Sequence, residues 1–495
     1  MEILLFLSSG LFLGWSLGAN DAANVFGTAV GTRMIKFRTA AIVCSVFVVL
    51  GATISGAGAA HTLGKLGAVN ALAGSFTVAF AAALTTFLMT RLKIPVSTSQ
   101  AIVGAIIGWN FYSSSLTDSA SLTKIMLTWV ACPLLSGVMA VLLFMLVRFL
   151  LRVNKPHLLR LDSATRWGLL IVGAFGSYSL GANNIANVMG VFVPDNPFHD
   201  LVLFDSIRIT GVQQLFFIGA VAIGVGVYTY SERVMKTVGS GLAQISPVPA
   251  FVIVLAQSLT LFLFASQGLE TFLASRGLPT FPLVPVSSSQ AVVGAIVGLS
   301  LFKGIGIRYK VLGEISLGWL ATPILAGVIS FLLLFFMDNV FDQKVHHEVR
   351  YRLDTETVAE LSRRGIADSG LAELSDRTSA RDLQSSLQGQ TELSSDDISA
   401  VLEVSATGNW QVAQALTDPN LQETLGLNAD QMTALHLIEG ATFEHAWQFH
   451  QALAEASVSW KKRPDELANR KWNKELKSQL SLLLRICRAD QRPER

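Results

Sequence analysis

The sequence predicts an all-α, polytopic membrane protein, with about ten crossings in two inverted repeats of broken or re-entrant helices and a small soluble α-helical domain at the C-terminus. Three observations predict it. Hydrophobic residues make up 51% of the 495 and charged residues only 15%, with a mean hydropathy of +0.50, whereas a soluble chain carries charge on about a quarter of its residues. Apolar segments of spanning length recur as far as Asp338 and then stop. Two polar motifs each occur twice, in the same order, within the apolar part.

About 20 apolar residues cross a bilayer as a helix. Segments of that length lie near 3–30, 40–60, 70–90, 125–148, 167–192, 208–230, 249–268 and 314–337. Two shorter ones, near 95–112 and 284–302, are rich in Ser and Gly. The first segment opens with Glu2 and shows neither a basic leader nor a small-residue cleavage site, so it reads as a retained span.

The repeat divides the chain. "IPVSTSQAIVGAIIGWN" (94–110) matches "VPVSSSQAVVGAIVGLS" (284–300), with Gln100 falling on Gln290. The same offset carries Trp129 onto Trp319, Pro133 onto Pro323 and Gly137 onto Gly327. "GANDAAN" (18–24) and "GANNIAN" (181–187) match at a shorter offset, because the linkers differ in length. The reading is therefore repeat 1 over 1–160, repeat 2 over 161–340 and the soluble domain over 341–495. About five spans per half is an odd number, which turns the second half upside down. Positive residues favour the inner side of a membrane. With the N-terminus outside, Arg33/Lys36/Arg38, Arg91/Lys93, Arg148/Arg152/Lys155/Arg160 and Lys303/Arg308/Lys310 all fall inside, and the acidic stretch 193–205 falls outside. Inverted repeats of this kind are the mark of alternating-access carriers, with the site where the repeats meet near the midplane.

Each motif has a bland reading, since Ser and Thr bond back to their own helix and small residues let helices pack closely. Paired asparagines in two copies resist it, because an amide in hydrocarbon costs several kcal/mol without partners. Gly18 and Gly181 precede Ala-Asn pairs where a helix can unwind and line a watery site. Asn20 and Asn24 then share one helix face. Pro95 and Pro285 suit a first helical turn, and the Ser/Thr runs after them supply hydroxyls and free N–H groups at a positive dipole end, an anion-binding arrangement. Across 17–32, 95–112, 180–192 and 284–302 the only charged residue is Asp21. A carboxylate repels an oxyanion, so its task is a cation, with Na⁺ on carboxylate, amide and backbone oxygens as the natural occupant, or a proton.

These residues resemble the PiT family of inorganic phosphate transporters, through the paired G-A-N-D-x-A-N and P-V-S-S/T-S-Q motifs over about residues 1–338. The resemblance implies a cation-coupled importer of inorganic phosphate in the cell membrane, usually sodium-driven, and a homodimer embedded in the lipid bilayer. The implied substrate site is Asn20, Asn24, Ser97, Thr98, Ser99 and Gln100 with Asn183, Asn187, Ser287, Ser288, Ser289 and Gln290, and the implied metal ligands are Asp21, Asn20, Asn183 and Asn184. No cofactor is implied beyond Na⁺ as coupling ion, with H⁺ as the alternative. The family usually carries Asp in both GAN motifs, and here the second has Asn184. That leaves cation number and identity open, and phosphate against sulfate or another oxyanion open too.

Other classes fare worse. The net charge of +2 argues against a nucleic-acid partner. Cys44, Cys132 and Cys487 form no CxxC or Cys/His cluster, so neither a disulfide framework nor a zinc site is expected. No nucleophile–base set marks an enzyme in the spans. A channel with Asn-bearing half-helices is the first rival, and a receptor using the tail the second. In the tail, "SARDLQSSLQGQTELSSDD" (379–397) reads as linker, while Thr357/Glu360 and Asn428/Gln431 read as helix starts. His346, His347, His436, His445 and His450 read as helix-surface residues, and Lys461 to Arg495 as a solvated basic face. Crossing parity puts this tail outside, against the inward hint of Lys344, Arg350 and Arg352.

Overall fold

Apolar runs free of interior charge fold into helices of spanning length, and the polar or Gly-rich stretches between them into shorter ones. The computed structural model describes residues 2–67, 69–91, 96–194, 196, 198, 201–203, 207–241, 245–304, 306–347, 349–366, 371, 380–390, 393–412, 426–464 and 469–487. The first half carries α1 (Glu2–Gly31), α2 (Phe37–Ser55), α3 (Ala57–Leu66), α4 (Leu72–Arg91), α5 (Thr98–Tyr112) and α6 (Ser119–Asn154). The second carries α7 (Leu158–Met189), two short strands β1 (Leu201–Leu203) and β2 (Ile207–Ile209), then α8 (Gly211–Gly241), α9 (Pro247–Ala265), α10 (Gln267–Ser275), α11 (Ser288–Lys303) and α12 (Tyr309–Asn339). Among the described residues seven helices, α2, α4, α6, α7, α8, α9 and α12, are long and apolar enough to cross a membrane. With 15 and 16 residues, α5 and α11 rise about 22–24 Å, short of the ~30 Å hydrocarbon layer.

The two halves pack by exchange. Helix α1 lies against α8 and its counterpart α7 against α2. Likewise α5 lies against α12, and α11 against α6. The closest approaches repeat residue for residue. A Cβ on Gly104 would run into the main-chain oxygen of Pro323, and one on Gly294 into that of Pro133. Gly108 meets Gly327 in the same way, and Gly298 meets Gly137. Only 22% of the apolar window of α6 or of α12 is buried, against 67% for α4 or α9. The outer pair therefore shows apolar faces such as Leu127, Leu134 and Leu142 or Leu317, Ile324 and Leu332 to the surroundings, as lipid contact requires.

Two sequence expectations change here. Neither GAN motif breaks its helix, for α1 and α7 run through Gly18 and Gly181 without interruption. Both glycines serve close packing instead, since a Cβ on Gly18 would strike the main-chain oxygen of Ile223 and one on Gly181 that of Val48. Pro285 stands ahead of the cap rather than in the first turn, because α11 starts at Ser288 with Ser287 as N-cap. Pro95 lies outside the described residues.

The chain divides into two compact units near His347. The second contains α13 (Thr355–Arg363), α14 (Ala380–Gln390), α15 (Ser395–Ser405), β3 (Thr407–Gln411), α16 (Ala429–Leu437), β4 (Thr442–His445), α17 (Ala446–Ala456) and α18 (Arg470–Ile486). Strands β3 and β4 pair antiparallel, so this domain is helical with a small sheet. Much of 379–397, expected as linker, is helix, because Leu383 and Leu387 recur at helical spacing and bury beside Leu361 and Val401. The capping box at Asn428 and Gln431 is present with both bonds, whereas α13 is capped three residues before Thr357, by Asp354. His445 is fully buried, not on a helix surface, with Nδ1 on the Ala406 main-chain oxygen at 3.0 Å and Nε2 by the Thr357 hydroxyl at 3.3 Å. The basic C-terminal stretch is amphipathic rather than wholly solvated, for Leu476 and Leu483 of α18 enter the core with Trp410 and Phe449.

Candidate functional site

Helices α5 and α11 start in the interior of the first unit, and their sequences dictate how. Ser97 and Ser287 take the N-cap positions in extended conformation, each accepting from the main-chain N–H three residues on, at Gln100 (3.3 Å) and Gln290 (3.2 Å). Their oxygens are thus occupied by their own helices, as Ser at an N-cap generally is. The other first-turn N–H groups have no intrahelical partner and sit at the positive end of the dipole. The residues that follow, Thr98, Ser99, Gln100 and Ser288, Ser289, Gln290, are all buried.

Each GAN motif grips the helix start of the opposite half. Asn24 on α1 donates from Nδ2 to the Ser288 hydroxyl oxygen at 3.0 Å, and Ser288 donates its proton to Asp21 Oδ2 at 2.8 Å. Asn187 on α7 donates from Nδ2 to the Ser99 hydroxyl oxygen at 2.8 Å and to Asn184 Oδ1 at 2.9 Å. Asn183 holds both main-chain groups of Val286, donating to its oxygen at 2.7 Å and accepting from its N–H at 3.0 Å. Ser99 donates to that same Val286 oxygen at 3.2 Å, so the two helix starts touch directly. All four motifs meet in one place.

The charge there is one carboxylate. Asp21 is 3% exposed, receives Ser288 on one oxygen and the Asn20 amide on the other at 3.1 Å, and has no Lys or Arg beside it among the described residues. Several buried polar atoms of these motifs have no partner among the described residues: Thr98 Oγ1, Gln100 Oε1, Gln290 Oε1, Asn184 Nδ2 and Asn187 Oδ1. A buried polar group without a partner is rare, and each calls for an explanation. Hydroxyls and helix-start N–H groups suit an oxyanion, while carboxylate and amide oxygens suit a hard cation.

Comparison with known proteins converges on one family. The profile of the phosphate transporter family matches residues 17–161, 154–271 and 278–461, which is most of the chain. The chain belongs to the phosphate transporter family. A Methanocaldococcus jannaschii protein that bears the name of a phosphate permease is 30% identical over 335 residues, covering 67% of this chain and 97% of that protein. The Mus musculus protein named sodium-dependent phosphate transporter 1 is 33% identical over 206 residues, 39% of this chain and 29% of that one. A solved structure described as the sodium-dependent phosphate transporter has the same fold, with a TM-score of 0.54, 22% identity, and coverage of 69% of this chain and 100% of that chain. The chain is a multi-pass membrane transporter and not an enzyme.

Within this transporter, Asn20 stands apart from the other expected site residues, its side chain bonding among the described residues only to its neighbour Asp21. Ser287 and Ser289 share a hydrogen bond at 2.9 Å. Reading the motifs alone passes over Gln257 on α9. It is fully buried and donates from Nε2 to the main-chain oxygen of Asn24 at 2.6 Å. Its only signal in the sequence is one amide in the apolar run "FVIVLAQSLTLF".

Proposed function

We propose that this chain imports phosphate across the cell membrane together with a cation, sodium in the first place, by exposing one central site alternately to either side. The observation that carries the reading is Asp21, a buried carboxylate hydrogen-bonded, among the described residues, only to neutral donors. It adjoins two helix starts able to bind an oxyanion, and it repels that anion unless a cation lies between. Burying an unpaired charge is costly. A bound sodium ion relieves the cost on Asp21 and lowers the cost of bringing in phosphate, so the two solutes help each other to bind, which is what coupling requires. The substrate residues are Thr98, Ser99, Gln100, Ser289 and Gln290 with Asn187, while Asp21, the Ser288 hydroxyl and the Asn20 amide belong to the cation side, Asn184 is the neutral counterpart of Asp21 in the other half, and Asn183 holds Val286 in place. Ser97, Ser287 and Asn24 position the helix starts. Exchange packing of matched halves supports two inverted repeats that swap conformations about this site. The homodimer that the motif resemblance implies is part of the same reading.

Uptake of radiolabelled phosphate and of sulfate into proteoliposomes tests it, under an inward sodium gradient and separately under an inward proton gradient. Saturable phosphate uptake driven by sodium is the expected result. Drive by protons alone reassigns the coupling ion, preference for sulfate reassigns the anion, and non-saturating flux indifferent to both gradients overturns the carrier. Asp21→Asn abolishes the response to sodium while leaving an inserted, folded protein.

A further inference from the structure

The two halves match closely enough that their departures from each other are informative. Helices α4 and α9 hold equivalent places, α4 against α1, α5 and α12, and α9 against α7, α11 and α6. Their registers coincide: the Thr85 hydroxyl bonds back to the Ala81 oxygen at 2.8 Å, and the Thr260 hydroxyl to the Ala256 oxygen at 2.9 Å. The next residue along is Ala82 in one half and Gln257 in the other. In the same comparison Asp21 stands against Asn184.

Both additions fall on one side. Gln257 is tied to Asn24, the last residue of the motif that contains Asp21, three residues further along α1. Its Oε1, at the other end of the same amide, is buried and has no partner among the described residues. The Asp21 side thus has a carboxylate and an extra unclaimed carbonyl oxygen. The Asn184 side has a neutral amide, with Nδ2 itself unpartnered, and a methyl group where the glutamine would be. Hard monovalent and divalent cations bind through oxygen ligands, and charge and ligand count set affinity.

We propose that Gln257 is a cation-side residue of this transporter, its Oε1 serving the coupling cation on the Asp21 side. We infer further that the matching place on the Asn184 side, lacking both carboxylate and glutamine, holds no cation. Coupling is one-sided in an otherwise two-fold site. This rests on the cation-coupled reading above. The tie from Nε2 to the Asn24 main chain fixes the amide so that its oxygen is presented without rotamer search, which lowers the cost of binding.

The test is sodium dependence of phosphate uptake by the full chain in proteoliposomes, with sodium-induced stabilisation of the purified protein against heat as a readout independent of turnover. Gln257→Ala copies the first half and raises the half-saturating sodium concentration about tenfold, leaving phosphate KM at saturating sodium close to wild type. Gln257→Glu keeps an oxygen but loses the Nε2 donor. It retains or tightens sodium activation if Oε1 is the working atom, and behaves like Gln257→Ala if the residue merely ties down Asn24, which overturns the proposal. The double substitution Ala82→Gln with Asn184→Asp builds the missing half and raises the sodium Hill coefficient. An unchanged coefficient overturns the one-sided assignment. Wild-type uptake indifferent to sodium removes the coupled reading itself, whereas sodium-dependent wild type with unaltered Gln257→Ala removes only this inference.

Discussion

Asn24 and Ser288 belong to opposite halves of the chain, yet their side chains are joined at 3.0 Å, and the Ser288 hydroxyl in turn donates a hydrogen bond to Asp21 at 2.8 Å. A single hydroxyl thus links a packing helix, a helix start and the one charge in the site. Ser288→Ala removes the donor to Asp21 and leaves the Asn24 amide without its acceptor. Hydrogen bonds to charged groups contribute about 1.5–3 kcal/mol, which corresponds to a roughly 10–150-fold loss in sodium affinity. Sodium titration of uptake measures it. Ser288→Thr, which keeps the hydroxyl, should recover most of the loss, and a Ser288→Ala protein with wild-type sodium activation would remove this hydroxyl from the cation side.

How much of this was legible beforehand depended on duplication. Asn24, Asn187 and the two Ser/Thr runs stood out because polar residues recurred at matched places in apolar sequence, and the structure brings them together. Gly18 and Gly181 are ambiguous in sequence, since a glycine before Asn serves equally well as a helix break or as a contact point. Only the opposing main chains of Ile223 and Val48 decide between the two. Gln257 was invisible for the opposite reason: it is not duplicated, and its partner is a main-chain oxygen far away in sequence. In the tail, His445 gave no sign of burial, because the groups that satisfy it, Ala406 and Thr357, come from two other elements.

Gly104 and Gly294 offer a test of the exchange packing. Each faces the main-chain oxygen of a proline in the opposite half, Pro323 or Pro133, so an added methyl cannot be accommodated by a side-chain turn. Overpacking generally costs about 1–3 kcal/mol, and a main-chain obstacle puts these sites at the upper end. Gly104→Ala and Gly294→Ala should therefore lower the melting temperature of the detergent-purified protein by similar amounts. Gly313→Ala, with open space around it, should not. Unequal losses from the two buried sites would mean that the halves are not packed as equivalents.

Acid should loosen the C-terminal domain in two stages. Burial holds His450 below its ordinary value, so its neutral form is favoured in the fold. That contribution is complete above the unfolded value of about 6.5 and declines as pH falls below it. Burial opposes ionisation of Asp354, but the hydrogen bonds from Thr357 and the nearby His445 and Arg352 outweigh it and hold the carboxyl below the usual range. Its contribution is present above the unfolded carboxylate value and is lost as pH falls through the lowered one. Protease sensitivity of the domain in the intact protein, followed against pH, should rise in both windows. His450→Gln should remove the first rise and Asp354→Asn the second, the latter because Asn still caps Thr357 without titrating.

Asn184→Asp tests whether the two sides of the site are equivalent in place but different in charge. Asn184 Oδ1 already accepts from Asn187 at 2.9 Å, and an aspartate keeps that bond, so the fold tolerates the change. The orphaned Nδ2 becomes a second oxygen, and the site gains a negative charge beside the phosphate. At an effective dielectric of about 20 and a separation near 4 Å, that repulsion is of order 4 kcal/mol. Left uncompensated, it weakens phosphate binding by nearly a thousandfold. A second sodium ion offsets it, and the new carboxylate is the ligand such an ion requires. The variant should therefore transport poorly at low sodium, recover at high sodium, and show a steeper sodium dependence than wild type. Unchanged phosphate affinity together with an unchanged Hill coefficient would place position 184 outside the site, and the pairing of Asp21 with Asn184 across the two halves would have no functional meaning.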